Sequence, residues 1–191
     1  MKIKIVLAAL LIVLINTGSS CINDSILVAV NLPISASWSI NGGNNTNFTG
    51  STTSIALAEQ IDASYSDKLQ KARFYDIRVS VAGAYSGNVT GTASIGNTPT
   101  TPVPLLTFNG SWADFQTPQS LLGNSTHITP QAAGVAVLVS ALNSFTSNPS
   151  TVVYLSANGS VSQAPVPNGL SVKVEIFTQV DAEVGSGSSS N

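Results

Sequence analysis

From Val28 to Ile40 every even position is apolar: Val28, Val30, Leu32, Ile34, Ala36, Trp38 and Ile40. The odd positions between them are Ala29, Asn31, Pro33, Ser35, Ser37 and Ser39. A side-chain period of two puts one set on a buried face and the other toward water, which a helix cannot do. The stretch therefore predicts a long, half-buried β-strand. Pro33 has no N–H to give to a ladder, so the strand must be an edge there or carry a bulge.

The same period recurs along the chain. Tyr75, Ile77, Val79 and Val81 alternate with polar residues, as do Val89, Gly91, Ala93 and Ile95, and the connecting GAYSGN predicts a hairpin over residues 73–95. After the proline-rich TPTTPVP, a shorter strand is expected around Leu105–Ser111. Thr151–Ala157 and Ser160–Gln163 flank Asn158-Gly159, a favoured two-residue turn, and predict a second hairpin. Val172, Val174, Ile176, Thr178, Val180 and Ala182 form the last alternating run.

Two segments break this pattern. Thr129-Pro130 reads as a cap and first-turn proline, after which Val135, Leu138, Val139, Leu142 and Phe145 recur with helical spacing until Asn148-Pro149. This predicts a helix near 130–146, buried on most sides because Ala132–Leu142 has few polar residues. Leu57, Ile61, Tyr65 and Leu69 stand four apart and suggest a helix over 57–71. The expected fold class is mainly β: a single β-sandwich-like domain of about seven strands with one or two inserted helices. A curved sheet wrapped around the 130–146 helix is the competing layout.

The N-terminus has a different character. Lys2 and Lys4 precede eleven uninterrupted apolar residues, Ile5 to Ile15, and then NTGSS and Cys21. A basic head, a short apolar run and small residues make a secretory signal. The apolar run is too short to span about 30 Å of hydrocarbon. Cys21 is the chain's one cysteine, which excludes an internal disulfide framework. Its place directly after Gly18-Ser19-Ser20 resembles a bacterial lipoprotein signal peptide, over residues 1–21 only. That resemblance implies cleavage before Cys21 and attachment of acyl chains to it. Gly18 stands where that family usually has Leu, and the same GSS also suits ordinary signal peptidase. The expected organisation is a signal peptide at 1–20, a lipidated cysteine and tether at 21–25, one domain at 26–184 and a flexible tail at 185–191.

Charge narrows the function classes. Seven Lys+Arg against nine Asp+Glu give −2, which excludes a basic nucleic-acid binder. Eight charges fall between Glu59 and Arg78, four of each sign, and read as a solvated helix face with Asp67 and Lys71 at i,i+4 spacing; a docking surface is the alternative. By contrast, residues 115–172 carry no Asp, Glu, Lys or Arg. Ser, Thr and Asn make up 61 of 191 residues, enough to cover that stretch with neutral polar groups. The other reading is a hydrophobic groove or partner surface beside the 130–146 helix.

No catalytic constellation is visible. His127 is the one histidine and reads as a loop residue ahead of the helix, which leaves no metal set and no Cys–His pair. Asp114 lies between Trp112 and Phe115, but one acid does not make the pair that glycoside hydrolysis uses. No catalytic residue, metal or cofactor is expected. Trp38 belongs to the inward set of its strand, whereas Trp112 is the candidate for stacking on a sugar ring. The leading expectation is a non-catalytic, lipid-anchored cell-envelope protein, at the cell membrane or outer membrane, with a binding or structural role. Its partners would be membrane lipid through Cys21 and an envelope protein or glycan. The alternatives are a secreted carbohydrate-binding or adhesin-like module and a carrier of an apolar ligand.

Overall fold

A computed structural model describes residues 25–65 and 68–185. The described strands are β1 (Ser25–Ile40), β2 (Asn47–Thr49), β3 (Thr53–Ala56), β4 (Leu69–Ala82), β5 (Asn88–Gly96), β6 (Val103–Ser111), β7 (Gln119–Ser120), β8 (Ile128–Pro130), β9 (Val152–Val161) and β10 (Leu170–Gly185). Two helices interrupt them, α1 (Trp112–Gln116) and α2 (Ala132–Phe145). The long alternating stretch is β1, and from Leu32 to Ile40 its even side chains are buried and its odd ones exposed. β10 pairs with it antiparallel over its whole length, from Ser25↔Gly185 to Ile40↔Leu170. Pro33 sits on an edge strand, as its missing N–H requires, because β1 has no other neighbour among the described strands.

Two antiparallel sheets face each other. One has the order β1-β10-β4-β7; the other runs β2-β9-β5-β6-β8, with β3 also pairing β9. β2 and β3 lie along successive stretches of β9 and act as one interrupted strand. With short β8 set aside, eight strands follow the jelly-roll order, crossing from one sheet to the other at every connection except β5–β6. The core between them is aliphatic and aromatic, with Leu32, Ile34, Ile77, Val79, Val174 and Ile176 on one side and Val89, Ile95, Phe108, Val153 and Leu155 on the other. The β-sandwich-like expectation holds, and the sheet wrapped around a helix does not form.

Four local expectations are corrected. Residues 57–71 are not a helix: two 3-10 turns, Leu57–Gln60 and Ala63–Tyr65, lead into β4, so Leu69 is already a strand residue. Residues 73–95 are not a hairpin either. β4 and β5 belong to opposite sheets, and the segment between them crosses the end of the sandwich. The third correction concerns Asn158-Gly159, which is no turn, since β9 runs straight through it. Gly159 lies opposite Gly91, and a Cβ on Gly159 would fall 2.2 Å from Thr90 O while one on Gly91 would fall 2.4 Å from Phe108 Cζ. Packing, not turn geometry, demands those glycines.

The fourth is the setting of α2. The helix forms where expected, but Thr129-Pro130 belongs to β8, and the cap position is Gln131 without a side-chain bond. Only one face is buried, through Gly134, Leu138, Ala141, Leu142 and Phe145, and Val139 on the other is 40% exposed. α2 packs on β4, β5 and β6. Gly134 allows the approach, because a Cβ there would lie 2.2 Å from Pro104 O and 2.4 Å from Leu105 Cα. Gly134→Ala should therefore lower stability by about 2 kcal/mol, the backbone clash outweighing a helix-propensity gain of about 1 kcal/mol. Urea denaturation measures this, and an unchanged or raised midpoint would show that α2 does not lie this close to β6.

Candidate functional site

Trp112 opens α1, whose first turn is closed by a reciprocal cap: Ser111 Oγ accepts from the Asp114 N–H, and Asp114 Oδ2 accepts from the Ser111 N–H at 2.9 Å. The indole is fully buried. Its Nε1–H donates to Gly83 O at 2.9 Å, its backbone N–H donates to Gly87 O at 2.8 Å, and Tyr85 meets the ring edge-on at 5.4 Å. Residues 83–87 are the β4–β5 crossover, so Trp112 clamps it against the sandwich. No ring face is left for a sugar, which corrects the expectation that Trp112 stacks on a glycan. Trp38 is core as expected, with its Nε1–H given to Ser51 O at 2.8 Å.

The other singled-out groups are also engaged in structure. Hydrogen bonds from the Ser111 hydroxyl and N–H hold the Asp114 carboxyl below the usual carboxylate range, with a smaller contribution from His127. His127 lies in the loop before β8, with Nε2 3.9 Å from Asp114 Oδ2 and Nδ1 3.2 Å from Asn109 O. The charged 59–78 segment is spread over the 3-10 turns and β4 rather than along a helix face. Arg73 pairs with Asp181 at 2.5 Å, whereas Asp67 lies outside the described residues. Cys21, the expected signal sequence and the expected tail beyond Gly185 also lie outside them.

One buried acid was not singled out by the sequence. Asp76 is fully buried on β4 and accepts from Arg78 Nε at 2.7 Å, Ser120 Oγ at 2.9 Å and the Leu122 N–H at 3.2 Å. Burial pulls its carboxyl upward, but Arg78, Leu122 and Ser120 together outweigh it and hold the group below the ordinary range. Arg78 in turn lies over the Phe177 ring at 4.3 Å. The arrangement fastens two-residue β7 to the sheet and has no open position for a ligand.

Two depressions stand out among the described residues. One follows the outer face of α2, past Ala132, Val135, Ala136, Val139, Ser140 and Asn143, and is open to solvent along its length rather than enclosed. It is the uncharged surface anticipated beside the helix. The other lies between the β4–β5 crossover and the 162–169 loop, with Tyr85, Ser86, Gln116, Gln163 and Pro165 around it. Tyr85 ties those loops together, its Oη accepting from the Gln163 N–H at 2.7 Å and donating to Gln163 O at 3.0 Å. Among the described residues, no group of three His, Cys, Asp or Glu comes together to hold a metal, and no helix is long and apolar enough to cross a membrane.

At the opposite end, β1 and β10 run on past the core. Along the inner face of β1, Leu32 is buried, Val30 and Val28 are half-buried, and Ile26 is 59% exposed. Leu27, on the outer face, is 62% exposed. The strand thus ends in two neighbouring apolar side chains that the second sheet does not cover.

No protein-family model and no curated protein matches the sequence. Among solved structures, the chain is similar to Desmodium yellow mottle tymovirus, with 13% identity and a TM-score of 0.34 over 91% of this chain and 100% of that one. It is also similar to turnip yellow mosaic virus, with 10% identity and a TM-score of 0.35 over 86% and 99% of the two chains. Likeness of this degree assigns neither family nor function, and the jelly-roll description rests on strand order.

Proposed function

We propose that this chain is a non-catalytic, lipid-anchored cell-envelope protein that holds a jelly-roll domain at a membrane surface for a binding or structural role. The observation that carries this reading is the position of Cys21. It follows a basic head, an apolar run and Gly18-Ser19-Ser20, and precedes the first strand residue, Ser25, by four positions. Four residues reach at most about 14 Å, so an acylated Cys21 would keep the domain against the lipid. Two or three acyl chains give stable anchoring where one gives only marginal binding.

The engagement of the acids supports a non-catalytic role. Asp76, Asp114, Asp181, Glu175 and Glu183 each bond a neighbouring side chain: Arg78, Ser111, Arg73, Lys173 and Gln70. The uncharged α2 face and the loop end around Tyr85 are the surfaces that such a role would use. Mass spectrometry of the mature N-terminus tests the proposal. The expected product begins at Cys21 and carries diacylglycerol, and Cys21→Ser should move the protein from the membrane to the soluble fraction. A mature chain that begins elsewhere, or at an unmodified Cys21, would remove the anchor from the account.

A further inference from the structure

We infer that the end of the sandwich carrying Ile26 and Leu27 sits in the headgroup region of the bilayer that holds Cys21, so that the strands run away from the membrane and the Tyr85 end faces outward. This rests on the anchored reading and adds an orientation to it. The chain outside the structure leaves from this end: Ser25 begins β1, and Cys21 lies four residues before it. Among the described residues, Ile26 and Leu27 are therefore the large apolar side chains nearest the anchor, and both are more than half exposed. Consecutive strand residues point to opposite faces, so the tip is apolar on both sides. Their cross-strand partners are Val184 and Glu183.

Charges of both signs surround the tip, and Glu183 and Asp62 keep theirs because their partners Gln70 and Ser64 are neutral. Arg73 is paired with Asp181, Glu183 accepts from Gln70 Nε2 at 2.9 Å, and Asp62, in the turns leading to β4, accepts from the Ser64 N–H. Lys68 and Lys71 are exposed near the same end and form no ion pair among the described residues. Lysines beside an apolar tip suit a headgroup layer, which offers phosphates next to hydrocarbon. Because the anchor already retains the protein, the tip should fix orientation rather than affinity.

The test uses the full acylated protein in vesicles of phosphatidylethanolamine and phosphatidylglycerol, some with bromine-substituted acyl chains. Leu27→Cys and, in the crossover past the far end of β4, Ala84→Cys each take an environment-sensitive fluorophore, since acylation blocks the Cys21 thiol. The mass of each sample records its acyl chains. Brominated lipid should quench the label at position 27 and not at 84, and aqueous iodide should quench position 27 about threefold less than 84. Equal iodide quenching at both positions in acylated protein would overturn the orientation while leaving the anchor intact. Absence of acyl mass would overturn the anchored reading and the orientation with it.

Discussion

Trp112→Ala is expected to lower the stability of the domain by about 3–5 kcal/mol, because it empties the largest fully buried side-chain site in the core. The loss has two parts. One is the cavity beneath Tyr85; the other is the Gly83 carbonyl, which loses the indole N–H it accepts. Trp112→Phe keeps most of the ring and should cost less, leaving chiefly the unsatisfied carbonyl at about 1–2 kcal/mol. Trp38 remains buried in both variants, so its fluorescence can follow urea unfolding. A loss under about 1 kcal/mol for Trp112→Ala would contradict the clamp on the crossover and reopen Trp112 as a surface residue.

Asp76→Ala is expected to cost about 3 kcal/mol, since it strands the Ser120 hydroxyl and the Leu122 N–H without an acceptor. Much of the damage should be local. β7 pairs with β4 only at Arg78↔Ser120 and Val79↔Gln119, so hydrogen exchange at the Leu121 and Leu122 amides should rise more than in the β1–β10 ladder. The sign of the pH dependence follows from the lowered carboxyl. Its stabilisation is fully present above the ordinary value of 3.8 and is lost as pH falls through the lower folded value. Asp76→Asn should therefore be less stable at neutral pH and show a flatter acid limb below about pH 4. Parallel acid limbs in the two proteins would mean that Asp76 does not carry this linkage.

The parts legible in the sequence are those where burial repeats without interruption. β1 and β10 each keep one face inside over most of their length, so period two and the edge position of Pro33 could be read directly. Elsewhere the deciding contact is distant. Trp112 is buried because of a carbonyl 29 residues away, and Asp76 is satisfied by donors 44 and 46 residues away. No local pattern records such partners. The four-residue spacing of Leu57, Ile61, Tyr65 and Leu69 serves two 3-10 turns and a strand as well as it would serve a helix. Nothing in GAYSGN tells a hairpin from a crossover between sheets. The tip did leave a trace: Ile26 and Leu27 are apolar in succession just before the alternation that starts at Val28.

Pairing the first described strand with the last sets the order in which the molecule can assemble. Leu32 meets Thr178 across 146 positions of chain, and none of the sixteen β1–β10 pairs can form until nearly the whole polypeptide is available. Closure of so large a loop comes late and slowly, because its entropy must be lost before the ladder returns anything. A chain wired this way cannot complete the sheet built around β10 while it is still emerging.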